Sequence, residues 1–294
     1  MKEIKRLGNY KIGFKYIQNG KKITDKKELD NIKALKIPPA YNDVVIICGK
    51  KIIAYGYDNK GWKQVIYSPE FIKNQTSKKY INVLKVAKIF PKIQNILRRD
   101  ISNIKLNIKK REIAMIVSLI LECGFRIGNK KYEDSNKSYG LTTIKFHHIS
   151  FKNGCININF IGKKGVINDS ICKNIKIFNY LKNKCNRLGS KCNNMNVFSY
   201  LNDDKKICNI TSTDVNKYLN NIDKDITSKV LRTLNANYLF LKFIKDKDVK
   251  EEKNPIKRAI EMVAIELHNT PAICKKSYID PKMIKYAEIK NKKW

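Results

Sequence analysis

Residues Lys145–Cys172, KFHHISFKNGCININFIGKKGVINDSIC, hold the pattern that decides the fold. Ile156, Ile158 and Phe160 alternate with Asn157 and Asn159, the two-residue period of a half-buried strand. Asn153-Gly154 supplies a tight turn on one side, and Gly162-Lys163-Lys164-Gly165 a turn on the other. The stretch predicts a three-stranded antiparallel meander over Lys145–Phe151, Cys155–Ile161 and Val166–Cys172.

Helical periodicity flanks this meander. Before it, Arg111–Cys123 carries Ile113, Ile116, Val117, Ile120 and Leu121, apolar nearly all round, as in a central buried helix. After it, helices are predicted near Asp214–Leu219, over Ser228–Phe243, and from Pro255, where Asn254 caps and proline fills the first turn. The beginning of the chain reads differently. Tyr10–Ile17 runs into an Asn19-Gly20 hairpin turn, Asp25–Leu35 reads as a short helix stopped by Pro38-Pro39, and Val44–Cys48, Lys51–Tyr57 and Lys63–Tyr67 form a second meander. Polar Asn74–Lys79 is the expected hinge. The predicted fold class is α+β: a small antiparallel β-rich N-terminal domain (residues 1–75), then a larger, mainly α-helical domain (residues 80–294) containing the three-stranded meander.

Lys and Arg number 61 against 26 Asp and Glu, a net charge of +35 over 294 residues. A field of that size concentrates polyanions, and nucleic acid is the first candidate. Lys, Asn and Ile crowd the whole chain, as an AT-rich coding sequence produces, so the charge by itself establishes polyanion binding and no more. No apolar run approaches the ~18 residues of a membrane span, and Met-Lys-Glu-Ile-Lys-Arg leads into no apolar signal segment. The eight cysteines (48, 123, 155, 172, 185, 192, 208 and 274) form no C-x-x-C pair, and the three histidines add no zinc spacing. Free thiols of an intracellular protein are expected.

No G-x-x-x-x-G-K-[ST] loop is present for ATP and no tight carboxylate cluster for a pair of metals. A DNA enzyme built this way needs side chains as both nucleophile and charge neutraliser, and four segments offer them. Arg126, in Gly124-Phe125-Arg126-Ile127-Gly128-Asn129, lies where the buried helix ends; it either presents a fork to a phosphate or complements that helix's negative end. Lys163, at the turn of the meander, is either a proton donor reaching into a groove or a solvated turn lysine. Arg232, in Lys229-Val230-Leu231-Arg232-Thr233, opens an amphipathic helix as a second phosphate ligand or as a surface charge. In Leu267–Tyr278, LHNTPAICKKSY, one helix ends near Leu267 and Pro271 starts another that carries Tyr278, with Asn269 either a left-handed helix cap or a functional residue. That tyrosine is a nucleophile or an ordinary core residue.

In this order and spacing the four segments resemble the catalytic domain of type IB DNA topoisomerases of the poxvirus and bacterial kind. Ile37-Pro38-Pro39, Asn42-Asp43-Val44-Val45 and Lys60-Gly61-Trp62-Lys63-Gln64 with Tyr67 are similar to that family's N-terminal domain, and Gly140-Leu141-Thr142-Thr143-Ile144 precedes the lysine turn as it does there. The likeness spans Ile37 to Tyr278. It implies that Tyr278 attacks the scissile phosphodiester, Arg126 and Arg232 neutralise its non-bridging oxygens, and Lys163 protonates the leaving 5′ oxygen. It further implies DNA contacts from Lys60, Lys63, Gln64, Tyr67 and Lys229. Poxvirus members place a histidine in a G-H-T-P pattern; His268-Asn269-Thr270-Pro271 puts Asn269 at that position, with His268 the alternative.

The implied reaction relaxes supercoiled duplex DNA through a 3′-phosphotyrosyl intermediate, strand rotation and religation, with no cofactor, no ATP and no metal, in a monomer that clamps DNA. An intracellular site is expected, a virion or cytoplasmic factory for a viral protein. Two rivals stand beside it. A tyrosine recombinase or integrase shares the chemistry but places histidines where this chain has Lys229 and Thr233. A non-enzymatic DNA-packaging protein accounts for the charge and leaves Tyr278 without a role.

Overall fold

In the computed structural model, residues 3–47, 49 and 51–291 are described, so Cys48 and the end of the predicted Val44–Cys48 strand lie outside the described residues. The chain divides into two compact units, Met1–Lys79 and Tyr80–Trp294.

The first unit is an antiparallel sheet of six strands in the order β3-β2-β1-β4-β5-β6. They are β1 (Glu3–Asn9), β2 (Gly13–Gln18), β3 (Lys21–Lys22), β4 (Asn42–Ile47), β5 (Ile52–Tyr57) and β6 (Lys63–Tyr67), with helix α1 (Lys26–Ala34) after β3. The Asn19-Gly20 turn joins β2 to β3, with both residues at positive φ. Strand β1 was not legible in the sequence. Only Ile4 and Arg6 point inward from it, and Arg6 is a charge. Its guanidinium is nevertheless satisfied, donating to the carbonyls of Pro38 (3.1 Å) and Tyr41 (2.5 Å) and lying 4.2 Å from the Phe14 ring centroid. A buried arginine thereby ties down the Ile37–Tyr41 loop. Ile4, Ile23, Ile32, Val44, Ile46 and Ala54 form the core beneath the sheet.

Helix α2 (Pro69–Lys88) follows, capped by the Ser68 hydroxyl on the Phe71 amide. Asn74–Lys79, expected as a polar hinge, is instead helix interior. Its residues are good helix formers apart from Asn and the hydroxyl pair, and the apolar spacing of Tyr80, Val83 and Val86 carries the helix onward.

The second unit contains α3 (Phe90–Ser102), α4 (Ile108–Glu122), α5 (Lys130–Asn136), the sheet β7 (Ile149–Lys152), β8 (Cys155–Ile161) and β9 (Ile167–Cys172), and α6 (Ile175–Leu188). The short pair β10 (Ser199–Leu201) and β11 (Ile207–Asn209) comes next. Then follow α7 (Ser212–Ile222), α8 (Ser228–Phe243), α9 (Lys247–Lys250), α10 (Pro255–Glu266), α11 (Pro271–Ser277) and α12 (Pro281–Asn291). Helix α4 is buried from Glu112 to Val117 and again at Leu119 and Ile120, which makes it the axis of the main core. Glu112 is tolerated there because Lys184 (2.6 Å) and the Tyr180 hydroxyl (2.7 Å) bond to its carboxylate. A second core gathers α8, α10, α11 and α12 around Phe240, Val263, Leu267 and Ile279.

The meander begins later than expected. The His148 ring nitrogen Nδ1 accepts from the Lys145 amide (3.0 Å) and winds Phe146–His148 into a helical turn, so its first strand starts at Ile149. The thiols also differ from expectation in one place. Cys185, at the end of α6, and Cys192, in the turn after it, are joined in a disulfide, while Cys123, Cys155, Cys172, Cys208 and Cys274 are free. The turn at Gly189 brings two cysteines only seven residues apart within bonding reach.

Candidate active site

Four pieces of chain meet around the C-terminal end of α10. Its last carbonyls have no partner further along the helix and carry its negative partial charge. His268, with φ 45, reverses the chain there; its amide bonds to the Ile265 carbonyl and that of Asn269 to the Ala264 carbonyl. The sequence reading put Asn269 in the left-handed position. His268 occupies it, because the chain reverses one residue earlier.

The α4 terminus abuts this end. Gly124 has φ +63, and a Cβ there would lie 2.1 Å from the Glu266 carbonyl oxygen, so no side chain fits. That close approach brings Arg126 beside His268, whose carbonyl lies 3.5 Å from the arginine's Nη1. The His268 ring is committed elsewhere: Nε2 lies 3.0 Å from the Cys123 carbonyl, which makes it the protonated nitrogen, and the ring stacks on Phe125 at 5.0 Å. Burial, followed by the Arg232 and Arg126 charges, lowers its pKa against the opposing bond to Cys123.

Arg232 comes from the first turns of α8 and is only 3% exposed. Its Nη2 donates to the Leu267 carbonyl, while Nε and Nη1 are buried and meet no acceptor among the described residues. Asn269 Nδ2 is a third buried donor in the same state. Burial is the main influence lowering the Arg232 pKa, the Tyr278 phenol opposing it and the Arg126 charge adding to it. The guanidinium carbon lies 5.3 Å from the Tyr278 ring centroid.

Tyr278 itself is the residue after α11 rather than part of it, with φ −128 and ψ −39. Asn237, buried on α8, holds this exit from both sides. Its Nδ2 donates to the Tyr278 carbonyl (2.8 Å), and its Oδ1 accepts from the Asp280 amide (2.8 Å). The sequence reading missed Asn237. A lone polar residue in the apolar stripe between Ala236 and Phe240 was the available signal.

Lys163 is set apart from this group. It stands exposed in the turn between β8 and β9, where the Gly162 amide (2.7 Å) and the Asn168 side-chain amide (2.9 Å) both bond to the Val166 carbonyl. The root of that turn is tied to Arg126. Tyr139 N bonds to Ile161 O (2.9 Å), Leu141 N to Arg126 O (3.0 Å) and Thr142 N to Ile127 O (2.7 Å). A Cβ on Gly140 would lie 2.5 Å from Gly128 Cα, so the two loop segments of this link touch backbone to backbone. The Gly140–Ile144 motif is thus a staple between the arginine and the lysine hairpin.

Arg126, Arg232, Tyr278 and Asn269 therefore converge, and Lys163 stands apart from them, exposed on a turn whose root alone is tied to the Arg126 segment. Lys229 is exposed in the first turn of α8. The remaining predicted contacts lie together in the N-terminal unit. Asp58 accepts from the amides of Lys60 (3.0 Å) and Trp62 (2.9 Å) and from Gln64 Nε2 (2.9 Å), Lys63 Nζ lies 4.0 Å from the Tyr55 ring centroid, and Tyr67 stacks on Phe71 at 5.1 Å. Asp58, which shapes this turn, was also missed.

Residues 68–294 match the catalytic core of eukaryotic DNA topoisomerase I, and residues 13–58 the N-terminal domain of bacterial DNA topoisomerase IB. The chain belongs to the type IB DNA topoisomerases. This topoisomerase is an isomerase of the poxvirus kind. It is 29% identical to the DNA topoisomerase 1B of Acanthamoeba polyphaga mimivirus, over 90% of this chain and 81% of that protein. It is 26% identical to the DNA topoisomerase 1B of vaccinia virus (strain Copenhagen), over 94% of this chain and 90% of that one. Among solved structures, the XerH site-specific recombinase bound to a palindromic difH substrate after cleavage is 16% identical with a TM-score of 0.43, covering 67% of this chain and 50% of that chain.

Proposed function

We propose that this topoisomerase relaxes supercoiled duplex DNA by cutting one strand through Tyr278, letting the free end rotate, and resealing it. The observation that carries the reading is the dry fork of Arg232 beside the Tyr278 ring. A fixed, desolvated guanidinium with two uncommitted nitrogens suits the non-bridging oxygens of a phosphodiester, where negative charge grows as the phosphate becomes five-coordinate. Arg126 supplies the second charge. The free Asn269 amide supports Asn269 over His268 as the fourth phosphate contact, since the histidine's proton is already given to Cys123.

The Tyr278 phenol loses its proton to solvent as its oxygen bonds to phosphorus, the bond from phosphorus to the 5′ oxygen breaks, and Lys163 gives that departing oxygen a proton, which the lysine regains from water. The product is a 3′-phosphotyrosyl ester and a free 5′ hydroxyl. One phosphoester replaces another, so resealing runs the same steps backwards and needs no ATP or metal. Lys60, Lys63, Gln64, Tyr67 and Lys229 bind the duplex around the cut. One chain carries every residue of the reaction, so a monomer suffices.

The test is supercoiled plasmid in EDTA without ATP, given wild type or Tyr278→Phe. Relaxation by the wild type alone is expected. Relaxation by the phenylalanine variant would overturn the assignment of the nucleophile, and DNA binding without relaxation by either protein would return the packaging reading.

A further inference from the structure

We infer that Tyr80 is a positioning residue for the Tyr278 nucleophile; this rests on the reading of Tyr278 just given. Tyr80 lies on α2, is 6% exposed, and donates its hydroxyl to the Ile279 carbonyl at 2.6 Å, across 199 residues of sequence. The acceptor belongs to the residue immediately after the nucleophile.

The link that carries Tyr278 is short. Helix α11 ends at Ser277 and α12 begins at Pro281. The amides of Tyr278 and Ile279 both bond to the Cys274 carbonyl at 3.0 Å, and the Asp280 carboxylate accepts from the Lys282 amide (2.9 Å) to start the next helix. Two side chains hold the peptide groups between those ends. Asn237 grips the Tyr278 carbonyl and the Asp280 amide, and Tyr80 grips the carbonyl between them. Asn237 shares α8 with Arg232, so it sets the nucleophile's distance from the charge. Tyr80 comes from a different helix and holds the carbonyl end of the Ile279–Asp280 peptide, whose amide end Asn237 holds, so the two grips together fix its plane. Without it that plane can tilt, and the phenol at Tyr278 swings with it. Burial and the Asp280 charge hold the Tyr80 proton on well above the usual phenol range, so the hydroxyl remains a donor at every working pH. In-line attack is sensitive to such tilts, since a displacement of about 1 Å costs up to ~10²-fold in rate.

The experiment uses the full chain and a DNA duplex nicked so that the cut strand's short end escapes, with single-turnover formation of the covalent adduct as readout. Wild type, Tyr80→Phe, Tyr278→Phe and Tyr218→Phe are compared. Tyr218 is a matched control, a buried tyrosine whose hydroxyl donates to Asp100 (2.9 Å) away from the pocket. Tyr80→Phe is expected to slow the cleavage rate at saturating protein about 10-fold. Its DNA affinity and final adduct yield should match wild type, and religation should slow by the same factor. A structural defect alone would lower the yield and leave the rate of the active fraction unchanged. The proposal is overturned if Tyr80→Phe cleaves at the wild-type rate, if only its yield falls, or if Tyr218→Phe slows equally. If the wild type forms no adduct, or Tyr278→Phe still forms one, the reading of the nucleophile fails first and takes this inference with it.

Discussion

The Arg232 pocket and the Lys163 turn hold the same kind of charge in opposite ways. Arg232 is interior, committed to a helix-end carbonyl, with its other nitrogens dry and fixed. Lys163 stands in solvent at the tip of a hairpin whose base alone is braced. The difference suits the two jobs proposed for them. A charge that stabilises a transition state acts most strongly when desolvated and already oriented, because no solvent has to reorganise as the reaction proceeds. A proton donor needs to exchange its proton and to reach an oxygen that arrives with the substrate, which a buried ammonium does poorly.

The largest expected effect falls on the pocket. Arg232→Lys should slow adduct formation by about 10³-fold, because one ammonium cannot keep the Leu267 carbonyl and present two further donors. The same change should lower unfolding free energy by about 2 kcal/mol in urea titrations, by leaving a buried polar group unmatched. A variant with wild-type cleavage would end the distinction between the two regions. Next comes the turn. Lys163→Ala should slow cleavage by about 10²-fold with no change in thermal midpoint. Replacing the leaving 5′ oxygen by sulfur, which departs without a proton, should restore the rate for Lys163→Ala and leave Arg232→Lys slow. Rescue of both variants, or of neither, would remove the assignment of the proton to Lys163.

The smallest effect concerns pH, and each region holds one half-buried histidine to report it. His268 sits in the pocket with its pKa lowered. His148 sits against the lysine sheet, 4.4 Å from the Tyr139 ring, and burial, then the His147 and Lys145 charges, push it down to about 4. Both are neutral in the folded chain at pH values where the unfolded chain takes up protons, from about 6.5 downward. Their contribution is complete above that value and is lost as pH falls toward about 4 for His148. His148→Gln should flatten the urea-measured stability curve between those limits by on the order of 1 kcal/mol, allowing for solvent screening. An unchanged slope would show that the ring is not held neutral.

Much of this was readable along the chain. The alternation around Ile156–Phe160, the apolar girth of α4 and the Asn254-Pro255 start of α10 are local patterns, and local sterics and capping enforce them wherever they occur. Strand β1 escaped notice because its inward charge, Arg6, is satisfied only by carbonyls more than thirty residues away. The division between the two units falls at Lys79, at the end of the expected hinge, but Asn74–Lys79 is helix for the converse reason: its polar residues lie on a helix whose apolar anchors come after them. Arg126, Arg232 and Tyr278 could be named because they recur in a recognisable order. The side chains that aim them could not. Asn237 and Tyr80 look like ordinary helix residues, and their function exists only through carbonyls brought to them by folding.

By itself the sequence determined most of the secondary-structure classes, the surplus of positive charge and which groups are candidates to react, since these depend on residue type and near neighbours. The tertiary structure alone decided that two guanidiniums share the end of α10, that Asn269 and not His268 keeps a free donor, and that the backbone at Tyr278–Asp280 is gripped from two helices. Those outcomes depend on burial and on distances between remote segments, and burial turns an exposed, weakly held charge into a fixed and strong one.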